Sequence, residues 1–189
     1  MEHFYKTLNS ENWFDFGNIY SEAVSKFGDD SHFVEVGTWK GMSASYMAVE
    51  IINSNKKIKF DCVDTWLGSE EHLNPGSSFF NNKLLEDGDW LYNLFLENVK
   101  PVKNYINIKR GISWEVAKQY EDKSLDFIFI DAAHDYESVL KDLENWYPKL
   151  KSSGFIAGHD YHHPPLKLAV DKFFGVDVVE KNGGSWVKY

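Results

Sequence analysis

The apolar positions of this chain change period several times, and each change marks an element. Over SENWFDFGNIYSEAVSKF, residues 10 to 27, Phe16, Ile19, Tyr20, Ala23, Val24 and Phe27 recur at helical spacing and stop before Gly28, predicting an opening helix or helix pair. FVEVG (33 to 37) reads as a buried strand, and residues 42 to 53 as a helix with Ala44, Met47, Ala48 and Ile51 on one face. The alternation continues. IKFDCVDTW gives a second strand ending at Asp64 and YINIKR a third; LDFIFID (125 to 131) is a fourth, whose unbroken apolar run needs burial on both faces, and GFIAGHD a fifth. Helices fall between them at DWLYNLFLENV (89 to 99), SWEVAKQY and residues 136 to 147, the last with Val139, Leu143 and Trp146 on one stripe and Pro148 at its end. PPLKLAVDKFFG opens on helix-compatible prolines and closes at Gly175, and VDVVEKNGGSWVKY reads as two strands around Asn182-Gly183-Gly184, a hairpin signal.

Five strand-to-helix units and a hairpin predict an α/β fold, a doubly wound and mostly parallel seven-stranded sheet with an antiparallel C-terminal hairpin strand. The length suits a single domain, 1–189, with residues 1–30 as an N-terminal helical cover. Residues 67 to 88, LGSEEHLNPGSSFFNNKLLEDG, carry Pro, Gly, Ser and Asn without a sustained period; with the helix that follows they form an insertion over 67–98 that reads as a lid. Its aromatic residues Phe79, Phe80, Trp90, Tyr92 and Phe95 are expected to seal that lid.

Charge and composition narrow the function classes. Net charge is −9, with 20 basic against 29 acidic residues, and no basic run exceeds Lys56-Lys57, so the electrostatic footprint of a nucleic-acid binder is missing. MEHFYKTLNSENWF lacks a charged leader followed by an apolar run, and no stretch approaches the ~18 apolar residues of a membrane span. The expectation is a cytoplasmic protein with no membrane partner. The one cysteine, Cys62, lies in an apolar strand and is expected to be a buried, inert thiol. Self-association into a homo-oligomer is left open.

In an open parallel sheet, ligands bind beyond the carboxyl ends of the strands. Here those ends are Glu35 to Gly41, Asp64 to Trp66, Gly111 to Ser113, Asp131 to His134, and His159 to Tyr161, and every one is polar. The first turn, Gly37-Thr38-Trp39-Lys40-Gly41, lets backbone N–H groups approach a carboxylate or phosphate. Asp64, 27 residues after Gly37, stands where such folds hold a ribose. The turn is G-x-x-x-G and not G-x-G-x-x-G, and Glu35 before it would repel a pyrophosphate but attract an ammonium. An amine, a carboxylate and a nucleoside in one ligand describe S-adenosylmethionine. His134, three residues after Asp131, is a candidate to take a proton from an attacking hydroxyl, because imidazole titrates near neutral pH. His162 and His163 read as an exposed loop, and Asp142 and Glu144 as solvated helix charges.

FVEVGTWKG, CVDTW, FIFIDAAHDYESVLKDLENWYPKLKSSGFIAGHDY and SWVKY together resemble a class I S-adenosylmethionine-dependent methyltransferase of the branch that includes macrocin-type sugar O-methyltransferases, over roughly residues 30 to 189. The resemblance implies that Glu35, Gly37, Thr38, Trp39 and Gly41 form the methionine turn, that Asp64 takes the ribose hydroxyls, and that Thr65, Trp66 and Ser113 lie against the adenine, with Asp131 completing the donor site. Relatives often place Asp before that serine, where this chain has Ile112. Asp131, His159 and Asp160 match positions that hold Mg²⁺ in metal-using relatives, although an imidazole suits Mn²⁺ better. Asp131, His134 and His159 are then the catalytic set, the cofactors are S-adenosylmethionine and a divalent metal (Mg²⁺ or Mn²⁺), and the partner is a small hydroxylated acceptor. Transfer to nitrogen or carboxylate stays open, as do two other readings, a nucleoside-binding module without catalysis and a nicotinamide-dependent oxidoreductase.

Overall fold

The computed structural model describes residues 1–175, 177–181 and 184–189. Seven strands form one sheet in the order β3-β2-β1-β4-β5-β7-β6: β1 His32–Val36, β2 Lys59–Asp64, β3 Asn107–Arg110, β4 Leu125–Ile130, β5 Leu150–Gly158, β6 Val179–Lys181 and β7 Ser185–Lys188. The first five run parallel, and β7 pairs antiparallel with both β5 and β6. The doubly wound expectation holds. Asn182 and Gly183 of the hairpin signal lie outside the described residues.

The period of two along the strands builds two cores. Phe33, Phe60, Cys62, Phe127, Phe129 and Phe155 face one layer, packed under α1 (Gly17–Lys26), α2 (Met42–Ser54) and Phe95 of a later helix, whereas Val34, Val36, Val63, Ile128, Ile130 and Ile156 face the other. Cys62 is buried and free. That second layer is covered by α6 and α7 after β3 and β4 and by α8 after β5 (Ser113–Ala117, Tyr136–Trp146 and Pro164–Phe174). The insertion contributes α3 (Glu70–Leu73), α4 (Lys83–Glu86) and α5 (Trp90–Asn98). Within it Phe95 is fully buried in the first core, whereas Phe79 stays exposed.

Two boundaries differ from the sequence pattern. The opening helix begins at Gly17 and not near residue 10, because Glu11 and Asp15 are drawn outward by Lys40, Trp39 and His159, which holds 8–16 out of helical conformation. β5 starts at Leu150, before the predicted strand, and a register irregularity opposite Leu125–Phe127 absorbs the extra length.

The amino-terminal edge of the sheet is pinned by a buried carboxylate. Asp61 accepts hydrogen bonds from Tyr120 Oη (2.8 Å) and Asn107 Nδ2 (2.9 Å) and pairs with His32 Nε2 (2.9 Å), tying β1, β2, β3 and the segment after α6 together. Burial works against its charge, but His32, Tyr120 and Asn107 outweigh that and hold the carboxyl down at about 2. A depressed carboxyl stabilises the fold above its ordinary titration range and loses that contribution as pH falls toward 2. Asp61→Ala should therefore cost about 3 kcal/mol at neutral pH. Urea unfolding of both proteins should show that difference shrinking as pH approaches 3.

Candidate active site

At the carboxyl ends of the parallel strands lies a cleft of about 640 Å³, within the size range of small-molecule sites. Its floor is made by strand ends, and its rim by the N-terminal segment and the 67–98 insertion, through Trp13 and Phe79 among others. These two rings meet edge to face at 6.0 Å, and Trp13 also stacks on Trp39 of the first turn at 6.2 Å.

The first turn is shaped by a contact that only glycine permits. Gly37 has φ +85°, and a Cβ there would stand 2.0 Å from the Asp131 carbonyl oxygen. The central strands converge there, with Gly37 N–H donating to Val63 O and Asp131 N–H to Val36 O, each at 2.8 Å. Asp64 ties this turn to the next. Its Oδ2 accepts from Thr38 N (2.8 Å) and Trp39 N (2.9 Å), and its Oδ1 from Trp66 N (2.7 Å). Trp39, Trp66 and Asp160 all adopt positive φ, at 46°, 54° and 56°.

Beyond β4 and β5 sits a cluster of ionisable groups. His134 pairs through Nδ1 with Glu71 of the insertion (2.8 Å) and through Nε2 with Asp160 (3.1 Å). His159 pairs through Nε2 with Asp15 (3.0 Å), and its Nδ1 lies 3.3 Å from Asp160 Oδ2 and 4.0 Å from Asp131 Oδ1. Burial would lower both imidazoles, but the Asp160 hydrogen bonds and the surrounding carboxylates push each up to about 9. Asp160 is held well below the usual carboxylate range despite partial burial, because both imidazoles bond it. Asp131 moves the other way, up to about 6, through burial and then the Asp160 charge, with the imidazoles opposing.

The cleft brings together Gly37, Trp39, Asp64, Thr65, Ser113, Asp131, His134, His159 and Asp160 of the sequence-predicted site. It does not include the other four. Trp66 is fully buried, with its ring against Tyr92 and Phe95 and its Nε1 donating to the Trp39 carbonyl (3.0 Å), because its positive φ turns the side chain into the first core. Gly41 caps α2 in the left-handed region, where a Cβ would meet Val99 at 2.7 Å; it serves packing. Thr38 lines a smaller neighbouring hollow. Glu35 lies behind the turn, 1% exposed, with Ser43 Oγ donating to its Oε1 and no donor to Oε2 among the described residues. Among metal-capable groups, one ligand atom each of Asp131, His134 and Asp160 lie within 4.8 Å of one another, so His134 stands where His159 was expected. His159 lies beside this group, with Nε2 on Asp15 and Nδ1 3.3 Å from Asp160.

Six ionisable cleft residues were not in the predicted site: Asp15, Glu71, His72, Asp142, and His162 and His163, which had read as an exposed loop. The insertion pairings carry no local signal, but Asp142 does. It sits on the stripe of Val139, Leu143 and Trp146, where a solvated charge does not belong.

A parallel sheet in this order, closed by antiparallel strands and with its cleft at the glycine turn, defines the class I methyltransferase architecture. A family description, "Methyltransferase domain", matches residues 34–161, and the chain belongs to that family, the class I S-adenosylmethionine-dependent methyltransferases. The R132 protein of Acanthamoeba polyphaga mimivirus is 29% identical over 158 residues, 76% of this chain and 59% of that protein. The chain spans less than two thirds of the curated relatives it matches, 13% and 59% of their lengths. The O-methyltransferase NovP shares the fold with a TM-score of 0.67 at 20% identity, over 91% of this chain and 78% of that one. CalS11, a TDP-rhamnose 3'-O-methyltransferase of calicheamicin biosynthesis, gives 0.60 at 15% identity, over 91% and 76%. Among the described residues no helix is long and apolar enough to cross a membrane.

Glu35 makes the turn sensitive to pH. Burial, with the charges of Asp131 and Asp64 added and the Ser43 hydrogen bond opposing, pushes its carboxyl up to about 8. A carboxyl raised on folding contributes stability that is complete below its ordinary range and is lost as pH rises through 8. Thermal unfolding across pH 5 to 8.5 should show that decline in the wild type and a flatter profile in Glu35→Gln.

Proposed function

We propose that this domain transfers the methyl group of S-adenosylmethionine to a hydroxyl oxygen of a small acceptor, a sugar or sugar-containing metabolite. The observation that carries the reading is the Asp131, His134, His159 and Asp160 cluster, which faces the same cleft as the Gly37 turn. Four carboxylates, Asp15, Glu71, Asp131 and Asp160, surround two imidazoles, a field that favours a cationic ligand such as a sulfonium. Gly37 and Trp39 would line the methionine part, Asp64 and Thr65 the ribose, and Ser113 the base. Glu35, Thr38, Gly41 and Trp66 would support that surface from behind. Bound there, the donor supplies an electrophilic methyl carbon, whose bond to sulfur breaks as the acceptor oxygen bonds to it, leaving a neutral thioether. Holding the two reactants in line is expected to supply much of the rate. The sugar acceptor draws on the CalS11 likeness and on the polar, hydrogen-bonding rim formed by Asn12, Ser69 and His72.

His134 has two exclusive uses. As a base it would take the hydroxyl proton on Nε2 once its pairing with Asp160 is broken, since that hydrogen bond occupies Nε2 and does most to keep the imidazole charged. As a ligand it would join Asp131 and Asp160 around a divalent cation, a donor set that suits Mn²⁺ better than Mg²⁺. A cation there would lower the pKa of the acceptor hydroxyl.

Calorimetric titration separates the cases. S-adenosylhomocysteine should bind the wild type with micromolar affinity and bind Asp160→Ala comparably; no binding to the wild type overturns the methyltransferase reading. Mn²⁺ heats that vanish in both Asp160→Ala and His134→Ala assign His134 as a ligand. Without such heats, His134→Ala should lower kcat by about 10²- to 10⁴-fold with S-adenosylhomocysteine affinity intact. Transfer of labelled methyl to amines but to no hydroxylated sugar would overturn the O-methylation reading.

A further inference from the structure

One oxygen of Asp142 is a polar group that the fold does not explain. The residue lies on the inner stripe of α7, three residues from Val139 and four from Trp146, and is 2% exposed. Yet it reaches the floor of the cleft, and its Oδ1 finds no hydrogen-bond donor among the described residues. A buried acceptor without a donor is costly, and packing alone would favour a leucine here. The position is instead suited to a donor brought in from outside.

The neighbours indicate what that donor belongs to. Asp142 stands beside Ser113, after β3, whereas the histidine and carboxylate cluster lies after β4 and β5; β2 and β1 separate the two ends. The Ser113 hydroxyl accepts from Trp146 Nε1 at 2.7 Å and bonds the Asp142 carboxyl, which leaves Oδ1 as the oxygen without a donor. Ile112 and Trp114 line the same end of the cleft and offer flat, apolar surface but no acceptor. A ligand placed here needs an apolar ring to lie against those walls and an N–H to satisfy Asp142.

We propose that Asp142 is the specificity residue for the nucleobase, its Oδ1 accepting a hydrogen bond from the exocyclic 6-amino group of a purine. The assignment rests on the donor reading given above. It implies that the donor is chosen for adenine over hypoxanthine from helix α7.

The test compares S-adenosylhomocysteine with S-inosylhomocysteine, in which a 6-oxo group replaces the amine, by calorimetry at one pH. Wild type should prefer the adenosyl compound by about 10- to 100-fold, the worth of a hydrogen bond to a charged group. Asp142→Ala should lose that preference through weaker adenosyl binding. Asp142→Asn, which keeps the shape and adds an N–H, should shift it toward the inosyl compound. Thermal unfolding of both variants checks that each keeps the fold, since Ser113 still bonds the other side of the Asp142 carboxyl in the wild type. Undiminished preference in both variants overturns the assignment while leaving the donor reading intact. If wild type binds neither compound, both fall.

Discussion

Gly37 and Asp131 come closer than any side chain would allow, and much of the molecule is arranged around that approach. β1 and β4 are the two central strands, and where they end the Gly37 backbone lies against the Asp131 carbonyl. Neither chain can pull away, because Gly37 N–H is bonded to β2 and Asp131 N–H to β1. The glycine turn and the first carboxylate of the ionisable cluster are therefore set in one rigid corner. Asp64 extends this corner to the next strand by gathering the Thr38, Trp39 and Trp66 amides. Two hydrophobic layers hold the sheet that makes this possible, one rich in phenylalanine and one in valine and isoleucine.

Around this rigid corner the cover is held differently. The N-terminal segment and the insertion reach the cleft through Asp15 and Glu71, each paired with an imidazole of the cluster. Half-buried ion pairs of this kind can be exchanged for other partners, unlike the packed strands below. The cover is thus held through the two histidines of the cluster, so their charge affects how it seats. The left-handed conformation of Asp160 places its carboxylate between the two rings.

Much of this was legible in the chain. LDFIFID is apolar at nearly every position and became the strand buried throughout, and the glycines and acidic residues at the strand ends fell where an open sheet puts its ligands. What sequence could not supply was side-chain direction at turns. Trp66 follows a ribose-type acid and was expected against the ligand, but one positive φ sends it into the core. Residues 10 to 16 read as the start of the opening helix, yet their irregular path depends on partners far along the chain, Lys40 and His159. Asp142 was legible in principle, because three apolar neighbours at helical spacing define the face on which it lies.

Helix α7 takes on a different meaning once both of its ends are considered. It begins directly after His134, with Asp135 capping its first turn through a 2.9 Å hydrogen bond to Ser138 N, and carries Asp142 two turns further on. At a rise of about 1.5 Å per residue, those seven steps span roughly 10 Å along an element that does not stretch. The helix is a ruler. The histidine cluster and the Asp142 end of the cleft are thus held at a set separation by one helix, so neither can shift without carrying the other with it.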